Sequence, residues 1–268
     1  MALQTALRRT PSTLAADPVL FVPVLLLTLF QVPQLLLQSS APLIAGVVSL
    51  VFSLVYVVAV PFVQAGLIGM VDEALDERTS LATFVAEGKE NFVPVFVVYL
   101  ILFGVNLALG AIAFVAVLFG AIGFFPAGGA GAEPDLALVA AVGIVLLAVV
   151  LAYLLVAFLI QFYGQAIVID DRDAIDAITH SAGLVRRNLA SVLGYTLLVG
   201  VLAGAFGLVV GLASALAAPT VPAGADPFVV SMPSLRAVGV SALTVVLGTL
   251  FGGFFGTFSV AYYRELTA

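Results

Sequence analysis

The chain has 268 residues, of which 63% are hydrophobic and 9% charged, and its mean hydropathy of +1.27 exceeds what a water-soluble domain needs to fill its core. Six stretches run about 20 or more residues without a charge, enough to cross a hydrocarbon layer about 30 Å thick, which excludes soluble enzymes, disordered chains and nucleic-acid modules together. The 15 Asp and Glu against 9 Lys and Arg, with Lys89 the only lysine, fit a protein working in concentrated salt, where carboxylates stay hydrated, and the absence of cysteine removes disulfides, thiolate zinc sites and thiol nucleophiles.

In chain order, the apolar runs fall at 18–37, 42–71, 92–124, 137–169, 190–217 and 237–263. They predict an all-α polytopic membrane protein of six transmembrane helices, one integral membrane domain over 1–268. Arg8 and Arg9 precede the first run, but the stretch from Val19 to Leu37 is longer than the roughly 7–15-residue centre of a cleavable signal and is read as an uncleaved first span. Gly/Pro/Ser-rich turns follow the first run (Gln38–Pro42), the third (Pro126–Pro134) and the fifth (Ala218–Ser234), whereas the connections at 72–91 and 170–189 are charged. Alternation puts Arg8, Arg9, Arg78, Lys89, Arg172, Arg186, Arg187 and Arg264 on one side and only Arg236 on the other. That split predicts that the richer side, with both termini, is cytoplasmic, and the cell membrane is the expected location.

An internal repeat organises these spans. Shifted by 98 residues, Gly66, Met70, Asp72 and Glu73 fall on Gly164, Val168, Asp170 and Asp171; shifted by 97, Leu81, Lys89, Glu90, Asn91 and Phe92 fall on Ile178, Arg186, Arg187, Asn188 and Leu189. A weaker copy holds Leu3, Leu7, Arg8, Asp17, Pro18 and Val19. Three pseudo-repeated units follow, about 1–72, 73–170 and 171–268, each an interfacial amphipathic helix and a two-span hairpin. The stripes Ile175/Ile178/Ala182/Val185/Leu189 and Leu81/Phe84/Val85/Gly88/Phe92 have helical spacing and suit a helix lying along the headgroups. The acidic pairs Asp72-Glu73 and Asp170-Asp171 are expected to cap the starts of these helices, where the dipole is positive.

Chemistry-bearing residues are sparse. No Asp, Glu, Lys, Arg or His sits in the middle of a span, so a proton relay of the usual kind is not expected. Gln64, Asn106, Gln161, Gln165 and Tyr163 are candidates either for a shared polar cavity or for ordinary interhelical hydrogen bonds. On the charged side, Asp176 and His180 stand four apart with Arg186 and Arg187 further along, a candidate docking face or a solvated one. Gly200/Gly204, Gly207/Gly211 and Gly248/Gly252/Gly256 predict close packing of the fifth span on the sixth.

The segment Phe162–Asp171, then Ala174–Ser181 and Arg186-Arg187-Asn188, resembles uncharacterised prokaryotic multi-pass proteins, especially haloarchaeal ones, related to the membrane domain of glycerophosphoryl diester phosphodiesterases. The resemblance covers about residues 60–200 and implies a membrane part without its own settled activity. Phosphodiesterase activity is not carried over, since the metal-binding set of the separate catalytic domain is missing. The expectation is therefore a non-enzymatic membrane scaffold or accessory subunit without cofactor or metal, whose partners are the bilayer and a protein at the cytoplasmic face, not nucleic acid. The alternative is a permease or lipid-handling transporter with an amide-lined cavity.

Overall fold

The computed structural model describes residues 2–40, 42–124, 135–217 and 234–268, without the side chains of 38–45 and 217. The loop sequences at 126–134 and 218–233 lie outside the described residues. Within them the chain is helical, with no strand: α1 (Ala2–Ala16), α2 (Phe21–Phe30), α3 (Val32–Ser40), α4 (Pro42–Ala74), α5 (Leu81–Glu90), α6 (Phe92–Phe124), α7 (Leu136–Ile160), α8 (Tyr163–Val168), α9 (Ala174–Arg187), α10 (Leu189–Ala217) and α11 (Leu235–Thr267). Six stretches are long and apolar enough to cross a membrane: Pro18–Leu37, Gly46–Ala74, Phe92–Phe124, Leu136–Val168, Leu189–Leu216 and Leu235–Thr267.

Two of these spans are broken, and each break has a local cause. In the first, a 3-10 turn at Pro18–Leu20 leads into α2, and the helix is interrupted at Gln31, whose N–H turns back to Thr28 at 3.1 Å. Pro33 follows: it has no N–H to give the Leu29 carbonyl, and its ring crowds that turn. The fourth span breaks at Gln161-Phe162, between α7 and α8. There the Ser181 hydroxyl, fully buried on α9, accepts the Phe162 N–H at 3.1 Å and donates to the Leu159 carbonyl at 2.9 Å. One side chain thus satisfies the backbone groups that the interruption frees, which an apolar surround makes obligatory.

The short helices gather at one end. There α1 packs on α11, α5 on α4, and α9 on α7 and α8. The buried residues sit among these contacts, with Phe162, Tyr195, Phe258, Tyr262 and Tyr263 forming an aromatic plug. Tyr195 and Tyr262 stack with centroids 4.4 Å apart, and Phe162 lies within 6.0 Å of Tyr195, Tyr262 and Tyr263. Towards the other end the helices separate. No residue of α7 is buried, and the apolar side chains of α10 from Leu193 to Leu216 stand largely uncovered, as they would against lipid.

The amphipathic stripes are divided between the bundle and the outside. On α9 the buried positions are Ala177, Ser181, Leu184 and Val185, while Ile175 is 63% exposed, as is Leu189, the first residue of α10, at 54%. On α5 Gly88 is the buried residue, and Leu81 and Val85 remain exposed. Each helix therefore seats part of its apolar stripe, Val185 on α9 and Gly88 on α5, on the bundle and leaves part uncovered.

The glycines also pack differently from expectation. A Cβ at Gly200, Gly204, Gly207 or Gly211 would meet nothing within 4 Å, so the fifth span uses none of them against the sixth. The glycines of α11 instead receive the first two spans: a Cβ at Gly252 would come within 2.6 Å of Val24, at Gly253 within 2.5 Å of Phe21, and at Gly256 within 2.9 Å of Leu67. The closest crossing is α4 on α5. There a Cβ at Gly66 would strike the Phe84 carbonyl oxygen, one at Gly69 the Glu87 side chain, and one at Gly88 the Phe62 ring at 2.9 Å. α10 reaches α11 through bulky side chains instead, as in the Phe206–Phe251 contact at 4.8 Å.

Candidate functional site

The charged end is held by the last turns of α11. Arg264 donates from Nε to Asp72 and from Nη1 to Asp76, both at 2.6 Å, and the Tyr263 hydroxyl donates to Asp170 Oδ2 at 2.6 Å. Glu265 accepts from Arg9 of α1 at 3.3 Å. Three residues in a row thus tie the tip of α11 to the ends of α4 and α8 and to the middle of α1. This arrangement corrects the expected capping. Asp72 and Glu73 lie in the last turn of α4, where the helix dipole opposes them, and Arg264 offsets the Asp72 charge. The residue that caps α5 is Ser80, whose Oγ accepts the Thr83 N–H at 3.4 Å, and α9 starts after Asp173.

Asp176 and His180 of the expected docking face both turn towards the 170–172 corner. Arg172 lies 3.6 Å from Asp176 and 3.6 Å from Asp170, and His180 Nε2 lies 3.6 Å from the same Asp170 oxygen. These are ion-pair separations, too long for hydrogen bonds, and Arg172 Nε and His180 Nε2 are buried atoms without a hydrogen-bond partner. Burial pushes the His180 imidazole below its ordinary value, and the Arg172 guanidinium adds to this more than Asp170 opposes it. Arg186 and Arg187 are exposed on the last turn of α9. On α5, burial holds the Glu87 carboxyl above its ordinary value, with Glu90, Asp171, Asp72 and Glu73 contributing.

The intramembrane amides divide into separate sites. Asn106, Gln161 and Tyr163 line one cleft between α6 and α7, about 220 Å³ in volume, whose other polar wall is Tyr153 and whose remainder is apolar. Gln64 stands behind this wall and accepts the Tyr163 hydroxyl at 3.0 Å. Gln165 is directed elsewhere: it is buried and donates to Ser259 of α11. Gln161 donates to the Phe158 carbonyl at 2.9 Å and accepts from Thr196 of α10 at 3.2 Å, and Asn106 Nδ2 donates to Leu102 on its own helix at 2.9 Å. The structure therefore brings Asn106, Gln161 and Tyr163 together, attaches Gln64 to them, and leaves Gln165 out. Ser181, Ser259 and Thr196, the partners that fix these groups, were not singled out in the sequence. Their signal is a hydroxyl in phase with buried apolar positions, as Ser181 is with Ala177 and Leu184.

Immediately outward, the same helix pair lines a second cavity of about 520 Å³, with walls of Ala111, Ile112, Val115, Ala116, Phe119, Ala141, Val142 and Val145. Its walls are wholly apolar. Leu102, Val105, Leu109, Ile112, Ala116 and Phe119 recur every three or four residues, so one face of α6 lines both spaces. Among the described residues no group of His, Cys, Asp or Glu is placed to hold a metal ion.

A family model described as a domain of unknown function, DUF7847, matches residues 1–266. No curated protein and no solved structure matches. The family match carries no link to glycerophosphoryl diester phosphodiesterases or to haloarchaea.

Proposed function

The chain belongs to the DUF7847 domain family, whose function is unassigned, and from that premise we propose that it is a non-enzymatic, lipid-handling membrane protein that holds a lipid molecule between α6 and α7. The observation that carries this reading is the cleft itself, an apolar space with Asn106, Tyr153, Gln161 and Tyr163 at one end. Pockets that fix a small ligand combine apolar walls with a few placed polar groups in this way. A permease for a hydrophilic solute is less well supported, because the aromatic plug around Phe162 and Tyr262 occupies the end to which a polar path would lead.

The reading places the protein in the cell membrane with the arginine-rich end and both termini in the cytoplasm, on the eight-to-one division of basic residues. It keeps the three-unit scheme and the interfacial placement of α1, α5 and α9. Supporting the scheme, Asn91 and Asn188 close α5 and α9 in the same way, each donating Nδ2 to the carbonyl four residues back, at 3.3 and 3.1 Å. Supporting the placement, Ile175, Leu81 and Val85 are apolar yet uncovered. The scaffold reading stands second, favoured by the exposed Arg186 and Arg187 on the last turn of α9.

The test is native mass spectrometry of the protein released from mild detergent. A lipid-mass adduct is expected on the wild type and on Ala203→Trp, which changes an exposed position of α10, and is expected to be lost in Ala157→Trp, which fills the cleft. An adduct indifferent to Ala157→Trp, or none on the wild type, removes the lipid-handling reading.

A further inference from the structure

The cleft and the apolar cavity beyond it define what kind of lipid is held, and this inference rests on the lipid-handling reading. Asn106 is the fifteenth residue of α6, which runs from Phe92 to Phe124, so it stands near the middle of a helix about 50 Å long. A charged headgroup at that depth is costly without a counter-ion. No counter-ion is provided: no Asp, Glu, Lys, Arg or His lines either space. Phosphates and carboxylates are thereby disfavoured, and an uncharged head is favoured.

The open hydrogen-bonding groups narrow the head further. Asn106 spends one amide N–H on Leu102, and its Oδ1 accepts nothing from the described residues. Tyr153 lines the same cleft, and its hydroxyl likewise makes no hydrogen bond to a described residue. An acceptor and a donor that face one small space suit a group that both donates and accepts, which an alcohol does and a ketone, ester or hydrocarbon does not. Outward from the head, the continuous α6 face from Leu102 to Phe119 extends roughly 25 Å between two helices only, the shape of a groove for one chain.

We infer that the α6–α7 groove binds a long-chain alcohol, its hydroxyl between Asn106 and Tyr153 and its tail along the apolar cavity from Ala111 to Phe119.

Delipidated full-length protein in a mild detergent is titrated by native mass spectrometry with three probes of equal length: hexadecan-1-ol, palmitate at pH 8 and hexadecane. The alcohol is expected to bind at least tenfold more tightly than palmitate or hexadecane, with one equivalent per chain. Asn106→Leu, together with Tyr153→Phe, is expected to bring the alcohol down to the level of hexadecane while leaving hexadecane itself unchanged. Palmitate binding as tightly as the alcohol, or an alcohol preference that survives the double variant, overturns the inference while the lipid-handling reading stands. If none of the three binds and the wild type also carried no adduct before delipidation, the lipid-handling reading falls with it.

Discussion

Ser181 shows how much of this fold rests on single polar atoms. Its hydroxyl is the partner of both the Phe162 N–H and the Leu159 carbonyl at the α7–α8 break. Ser181→Ala would leave both groups buried and unpaired, and is expected to cost about 1–3 kcal/mol, read as a lower melting temperature of the detergent-solubilised protein. A melting temperature equal to wild type would mean that the break is satisfied in another way. His180 gives a pH dependence of definite sign. Its folded value lies below the ordinary 6.5, so the unfolded chain takes up the proton first. Above 6.5 both states are neutral and nothing is lost; as the pH falls from 6.5 through the depressed value, stability declines. Glu87 acts in the opposite sense and lower on the scale, its contribution being full below the ordinary 4.5 and lost as pH rises through its raised value. The variant His180→Gln is expected to flatten the decline just below pH 6.5 in a series of melting curves, with no change above it. At this scale the sequence was least legible. Residue type marked Gln64, Asn106, Gln161 and Tyr163 as polar groups within apolar spans, but their partners lie from 35 to 99 residues away where they are not local, as with Thr196 and Gln64, and no spacing rule reaches so far.

Helices were easier to foresee than the sides they present. The six apolar runs correspond to six spans because length and hydropathy are properties of a single segment. Which side of a helix meets a neighbour depends on the neighbour, and here the inference of close glycine packing moved, to α4–α5 and to α11 against α2 and α4. Small residues four apart identify a surface on which backbones can approach, without saying that any does. The two kinds of glycine can be separated by experiment. Gly66→Ala places a methyl against the Phe84 carbonyl and is expected to destabilise by about 1–3 kcal/mol, because a backbone atom cannot turn aside. Gly204→Ala meets open space and is expected to be neutral or to stabilise by about 0.5–1 kcal/mol through helix propensity. Equal melting temperatures for the two variants would contradict the α4–α5 crossing.

Considered whole, the molecule is fastened at one end and open at the other. Arg9, Asp72, Asp76, Asp170, Glu265 and Arg264 meet at the fastened end, where α1, α5 and α9 also lie. Charge-bearing connectors and both termini were expected on one side from alternation alone, and the structure brings them into contact. The sidedness can be read on intact cells, since a chain without cysteine gives no background labelling. Cysteines introduced at Arg8, Arg78 and Asp173, all exposed, are expected to resist an impermeant maleimide alike, and one at Leu235 to react. Opposite behaviour of the 78 and 173 positions would dismantle the arrangement.

The seat of α1 on α11 has a consequence for biosynthesis. A ribosome makes α1 well before α11, so the earlier helix waits through the production of the spans between before its docking place exists. Until then its uncovered side can lean on the bilayer surface or a chaperone, and the synthesis of α11 is what lets α1 come to rest.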